Sequence, residues 1–151
     1  MATPASRPTV DQVARLIRTR TNDSSMNEVG TFDEATRPTA DQVEEYIDDA
    51  MALVGLRVPL AQLPTGSEAS YAAVVALQAA AVIEKSYWPE QIDSGRSSYA
   101  QLVAELQAGV AALEGFVYSN GATPGGDGAA RMGEVMLGSW TGGGCTPCPP
   151  S

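Results

Sequence analysis

The chain has 151 residues, 9 basic and 18 acidic side chains, a formal charge of −9, and no histidine. That length suits one domain with tails and leaves little room for a second core. The acidic balance repels phosphate and argues against affinity built on neutralising a nucleic-acid backbone, and the missing His removes the usual general base, the commonest metal ligand and the ordinary catalytic triad.

Residues 1–8 carry Pro4 and Pro8 and no apolar run. They read as an N-terminal tail that is neither a secretory signal nor a transit peptide, which implies synthesis in the cytoplasm. Two helix starts then share one spelling, Arg7-Pro8-Thr9-Val10-Asp11-Gln12-Val13 and Arg37-Pro38-Thr39-Ala40-Asp41-Gln42-Val43. In each, the Thr hydroxyl suits an N-cap, the Gln can reach back to the cap's own amide, and the Asp sits at the positive dipole end. Proline before the cap keeps the helix from extending upstream. The self-match fades after Ile17 and Ile47, so recurring cap chemistry is a better account than duplication.

The first helix is predicted from Val10 to about Thr19, with Val10, Val13, Leu16 and Ile17 on one stripe and Arg15, Arg18 and Arg20 facing solvent or a partner. Residues 21–36 are polar, contain Gly30 and lack periodicity, which predicts a long loop or short hairpin. A second helix, from Ala40 to about Val54, spaces Val43, Tyr46, Ile47, Ala50 and Val54 helically, with Glu44, Glu45, Asp48 and Asp49 opposite. Residues 56–60 read as extended, and residues 64–67 as a turn supplying the next cap.

The third helix, from Glu68 to Tyr87, is small and apolar around almost its whole circumference, including Val74 and Leu77, and needs neighbours on more than one side. Residues 71–83 form the longest nearly apolar run, too short to span a bilayer at roughly 20 residues. Trp88-Pro89 ends this helix, and residues 93–95 make a turn. Tyr99, Leu102, Val103, Leu106, Val110 and Leu113 then mark a fourth amphipathic helix, with Gly109 tolerated and Gly115 as its stop.

The fold class is therefore mainly α: a small helical bundle over residues 9–118, with a long loop between helices one and two and a flexible Gly/Pro-rich C-terminal arm over residues 119–151. The expected core joins helices two, three and four through Val43, Tyr46, Ile47, Val74, Leu77, Leu102, Val103, Leu106 and Val110. Within the arm, residues 133–140 hold an apolar island suited to docking on another surface.

Catalytic and metal-binding motifs are weak. Cys145-Thr146-Pro147-Cys148 has C-x-x-C spacing, but no His or further Cys completes a zinc set, and a Pro/Gly tail is not the helix-opening context of redox pairs. The acids of helix two lack calcium-loop spacing and read as a solvated face. Residues 125–128 lack the Lys-Ser/Thr of a phosphate loop, and Tyr87 and Trp88 read as helix-end packing. No cofactor, metal or enzymatic activity is expected.

The Pro-Thr-x-x-Gln-Val-Glu-x-Tyr-Ile start of helix two, the small-residue third helix ending in Tyr87-Trp88 and the amphipathic fourth resemble the head-to-tail connector adaptors of long-tailed double-stranded DNA bacteriophages, over residues 9–117. That resemblance implies a structural virion protein forming a twelve-fold ring between the portal protein and the downstream neck, stopper or tail protein. DNA would pass through the ring without specific binding, and no membrane would be involved. It also implies a portal-docking arm using Val135, Met136, Leu137 and Trp140, and an interface or lumen loop using Asn22, Asp23, Glu28 and Phe32. Two other readings stand beside it: a small helical scaffolding or regulatory module with one protein partner, and a redox protein acting through Cys145 and Cys148.

Overall fold

Both proline-threonine signals start helices as their capping chemistry requires. In the computed structural model, which describes residues 6–22, 25, 27–93 and 97–121, α1 spans Val10–Leu16 and α2 spans Ala40–Arg57. The Gln12 amide donates to the Thr9 hydroxyl at 3.3 Å while the Thr9 amide donates to the Gln12 side chain at 2.8 Å. Thr39 and Gln42 repeat the exchange at 3.4 and 3.0 Å. Because each cap satisfies two orphan donors, Thr39→Ala should lower stability by about 1 kcal/mol. The shift of the urea midpoint at constant m-value measures it.

Three boundaries differ from the periodicity. α1 ends at Leu16 rather than near Thr19, because Ile17 leaves helical geometry (φ −127°, ψ 46°) to bury its side chain, and the chain tightens into a 3-10 turn over Arg18–Arg20. α2 runs past Val54 to Arg57, so the segment expected to be extended begins as a last helical turn. Val58, which precedes Pro59, takes φ −131° and ψ 88°, outside the helical region that proline disfavours in its predecessor, and a 3-10 turn over Leu60–Gln62 follows.

α3 spans Glu68–Tyr87, as expected, but Ser67 does not cap it with its side chain. The Ser67 hydroxyl instead donates to the Pro64 carbonyl at 2.6 Å, closing a turn through Gly66, whose φ of +94° lies in the left-handed region. Trp88-Pro89 ends α3, and Pro89 opens a short α4, Pro89–Asp93, where its missing amide is no loss. α5 spans Tyr99–Gly121 and runs through Gly115, the expected stop. A terminating glycine acts by turning left-handed, and Gly115 keeps negative φ.

The protein is mainly helical, and α3 is its central element. The Tyr71 hydroxyl, near the start of α3, meets the Met51 carbonyl late in α2 at 3.5 Å, while the Tyr87 hydroxyl at its end meets Gln42 early in α2 at 3.1 Å. The two helices are therefore antiparallel. α5 is also antiparallel to α3, since Gly109 lies against Val74 and Ser97, just before α5, bonds to Glu84. α2 and α5 consequently run parallel on α3. Burial keeps the Tyr71 phenol neutral to higher pH than an ordinary tyrosine.

The core is wider than three helices. α1 buries Val13 and Ala14, Ile17 just after it and Phe32 in the loop are buried too, and these join Val43, Ile47, Val74, Val75, Ala79, Ile83, Leu102, Val110 and Leu113. Tyr46, Leu77, Val103 and Leu106, expected inside, are only partly buried. Residues 6–8 belong to the bundle rather than to a tail: Ser6 and Pro8 are buried, and Arg7 pairs with Glu44 and with Asp48 at 2.8 Å. Burial opposes the Arg7 charge, but the hydrogen bonds with Asp48 and Glu44 outweigh it and hold the guanidinium above its ordinary pKa.

Gly109 is more than a tolerated interruption. A Cβ there would lie 2.8 Å from Cγ2 of Val74, itself buried. Gly109→Ala should therefore destabilise by about 1 kcal/mol, because overpacking of 1–3 kcal/mol outweighs the gain of roughly 1 kcal/mol in helix propensity. Gly115→Ala, with nothing within 4 Å, should stabilise. Thermal melts of the two variants check the opposite signs.

The chain divides after Asn120. The C-terminal unit, with the apolar island and both cysteines, lies outside the described residues apart from Gly121.

Candidate interaction surfaces

Among the described residues, the most buried charge belongs to Glu84 on α3, with a side chain 1% exposed. Arg20 holds it with a two-pronged contact, Nε to Oε1 at 2.8 Å and Nη2 to Oε2 at 3.1 Å. The Ser97 hydroxyl donates to Oε2 at 2.7 Å and accepts from the Tyr99 amide at 3.1 Å, at the start of α5. The Arg20 guanidinium also lies 4.4 Å over the Trp88 ring. The sequence pattern placed Arg20 toward solvent or a partner protein; the 3-10 turn after Ile17 brings it onto Glu84 of the same chain instead. With both carboxylate oxygens engaged, this cluster ties the loop, α3 and the start of α5 together and offers no free base.

Tyr87 stacks edge-on against Tyr46 at 6.4 Å and tilts against Trp88 at 5.6 Å, in keeping with the helix-end packing expected of both. Burial, followed by the neighbouring Tyr46, raises the Tyr87 pKa.

The acidic face of α2 divides in two. Glu44 and Asp48 share an ion pair with Arg7, whereas Glu45 and Asp49 are exposed and, among the described residues, have no ion-pair partner. Leu53 follows Asp49 by one helical turn, and Leu56 follows Leu53 by another, so one face of α2 changes from acidic to apolar along its length. Leu53 is 50% and Leu56 82% exposed.

Open grooves lie on two sides of α5. One, of about 300 Å³, has Ala69, Ala73 and Ala76 of α3 between Arg15 of α1 and Glu105 of α5. The other, of about 440 Å³, lies between the parallel helices α2 and α5, with Leu53 and Leu56 on one wall, Val103, Leu106 and Val110 on the other, and Gln78 of α3 between them. Val103 and Leu106 line this groove, which is why they are only partly covered. An Arg57–Glu114 pair at 3.0 Å closes one end, and beyond it Tyr118 is exposed.

The loop residues singled out from the resemblance do not form one surface. Phe32 is 3% exposed and belongs to the core, so it is not an interface residue; burying its apolar ring outweighs leaving it on a loop surface. Glu28 is exposed but paired with Arg18 at 2.7 Å, and it forms an isolated antiparallel bridge with the partly exposed Asn22. Asp23 lies outside the described residues, as do Val135, Met136, Leu137, Trp140, Cys145 and Cys148. Leu56 was missed because residues 56–60 read as extended, and Leu53, inside the expected helix, falls outside the stripe of Val43, Ile47, Ala50 and Val54; continuing the α2 spacing through Leu53 and Leu56 was the available signal.

Among the described residues, no group of three or more acidic, Cys or His side chains is arranged to hold a metal ion. No helix there is long and apolar enough to cross a membrane. The chain matches no protein-family model, no curated protein and no solved structure.

Proposed function

We propose that this chain is a structural protein of a tailed-phage virion, a head-to-tail adaptor that forms a ring between the portal and the downstream neck or tail protein. The observation that carries the reading is the order of elements: a short first helix, a loop, an acidic second helix, a small-residue central helix ending in Tyr87-Trp88, and a long amphipathic last helix. That order supports the resemblance noted in the sequence. The charge of −9 suits a conduit that lets DNA pass without gripping it. In this reading the protein has no catalytic activity, metal or cofactor, is made in the host cytoplasm and resides at the head-tail interface, and residues 133–140 reach the portal.

The test is co-migration of the purified protein with portal oligomers encoded beside it on a sizing column, with light scattering to count copies. About one copy per portal subunit, lost on deletion of residues 130–151, is the expected result. No binding by either form would overturn the reading in favour of a small helical scaffolding or regulatory module.

A further inference from the structure

We propose that the groove between α2 and α5 receives one amphipathic helix of a different protein, apolar along the face that enters the groove and basic at the end lying over Glu45 and Asp49. The inference goes beyond the adaptor reading and does not depend on it.

Shape and chemistry define the occupant. From Glu45 to Leu56 the rise along α2 is roughly 16 Å, or three helical turns. The groove walls present Leu53 and Leu56 against Val103, Leu106 and Val110, and the one charged side chain lining it, Arg57, is paired with Glu114 at the end away from Glu45 and Asp49. Apolar side chains of a docked helix at i, i+3 or i+4, and i+7 would meet these walls in turn. One turn beyond Leu53 stands Asp49, and one further Glu45, both exposed and without an ion-pair partner among the described residues. Continuing acids in line with exposed leucines select Lys or Arg at that end of the occupant and repel an acidic one.

The same chemistry argues against a second copy of this chain. Its basic segment, α1 and the 3-10 turn after it, carries Arg15 and Arg18 but turns Val13, Ala14 and Ile17 into its own core. Among the described residues, the exposed apolar row of α2 has beside it only Arg57, already paired with Glu114, and two copies each bear −9. Nucleic acid is disfavoured by the same acids.

Fluorescence anisotropy with three labelled peptides of about 16 residues tests the proposal. The first places leucines at i, i+3, i+7 and i+11 with three lysines at one end, the second replaces the lysines by glutamates, and the third scrambles the leucines off one face. The full-length protein should bind the basic peptide at least about tenfold more tightly than either other peptide. Leu56→Glu should lose about tenfold in affinity, with an unchanged thermal melt because the side chain is 82% exposed. The double variant Glu45→Lys, Asp49→Lys should reverse the preference between basic and acidic peptides. Equal binding of the three peptides, no binding, or indifference to Leu56→Glu would overturn the proposal. So would a dimer in sedimentation that Leu56→Glu dissolves, which would make the occupant a second copy. None of these outcomes bears on co-migration with the portal, so the two readings fail separately.

Discussion

Arg20→Ala should destabilise the bundle by about 3–5 kcal/mol, lowering the melting temperature by roughly 10–20 °C. The substitution leaves the Glu84 carboxylate, 1% exposed, facing an apolar interior with only the Ser97 hydroxyl as a neutral partner. Glu84→Ala should cost somewhat less, because Arg20 is 13% exposed and keeps its contact with the Trp88 ring. The double substitution Arg20→Met, Glu84→Met separates two accounts of the pair. Desolvation offsets most of the Coulomb attraction inside a protein, so the double variant should recover most of the loss, to within about 1–2 kcal/mol of the parent. A double variant as unstable as the worse single variant would mean that the pair itself supplies the stability. The exposed Arg18–Glu28 pair is the control, worth about 0–1 kcal/mol when broken. Calorimetry of these variants gives the comparison directly.

Ile47→Ala should cost about 2–5 kcal/mol, through lost transfer energy and the cavity left behind. Ile47 is fully buried at the contact of α2 with the core. Leu56→Ala, nine positions along the same helix, should stay within about 0.5 kcal/mol because the side chain is 82% exposed. Urea denaturation of the two variants checks both values. The contrast separates the face of α2 that holds the fold together from the face available to a partner, which residue type alone does not distinguish.

Much of the helical framework was legible because its signals are local. The Thr9 and Thr39 capping boxes, the termination of α3 before Pro89 and the stripe of Val43, Ile47, Ala50 and Val54 depend on residues within a turn or two of one another. The candidate surfaces were less legible. The acids of α2 were recognised, but not that Arg7 pairs with Glu44 and Asp48 and leaves Glu45 and Asp49 exposed, since that pairing joins residues some forty positions apart. Phe32 stands in a polar segment without periodicity, so its burial could not be inferred from its neighbours.

The sequence by itself thus determined a mainly helical chain, its helix starts and the apolar circumference of α3, because caps, prolines and helical periodicity act over distances the chain spans locally. Tertiary structure decided the rest. It turned Arg20 inward to Glu84, carried α5 through Gly115, set Gly109 against Val74 and left Val103 and Leu106 lining a groove. Each of these depends on which helix lies beside which, and burial and pairing are settled only by the neighbour that packing brings.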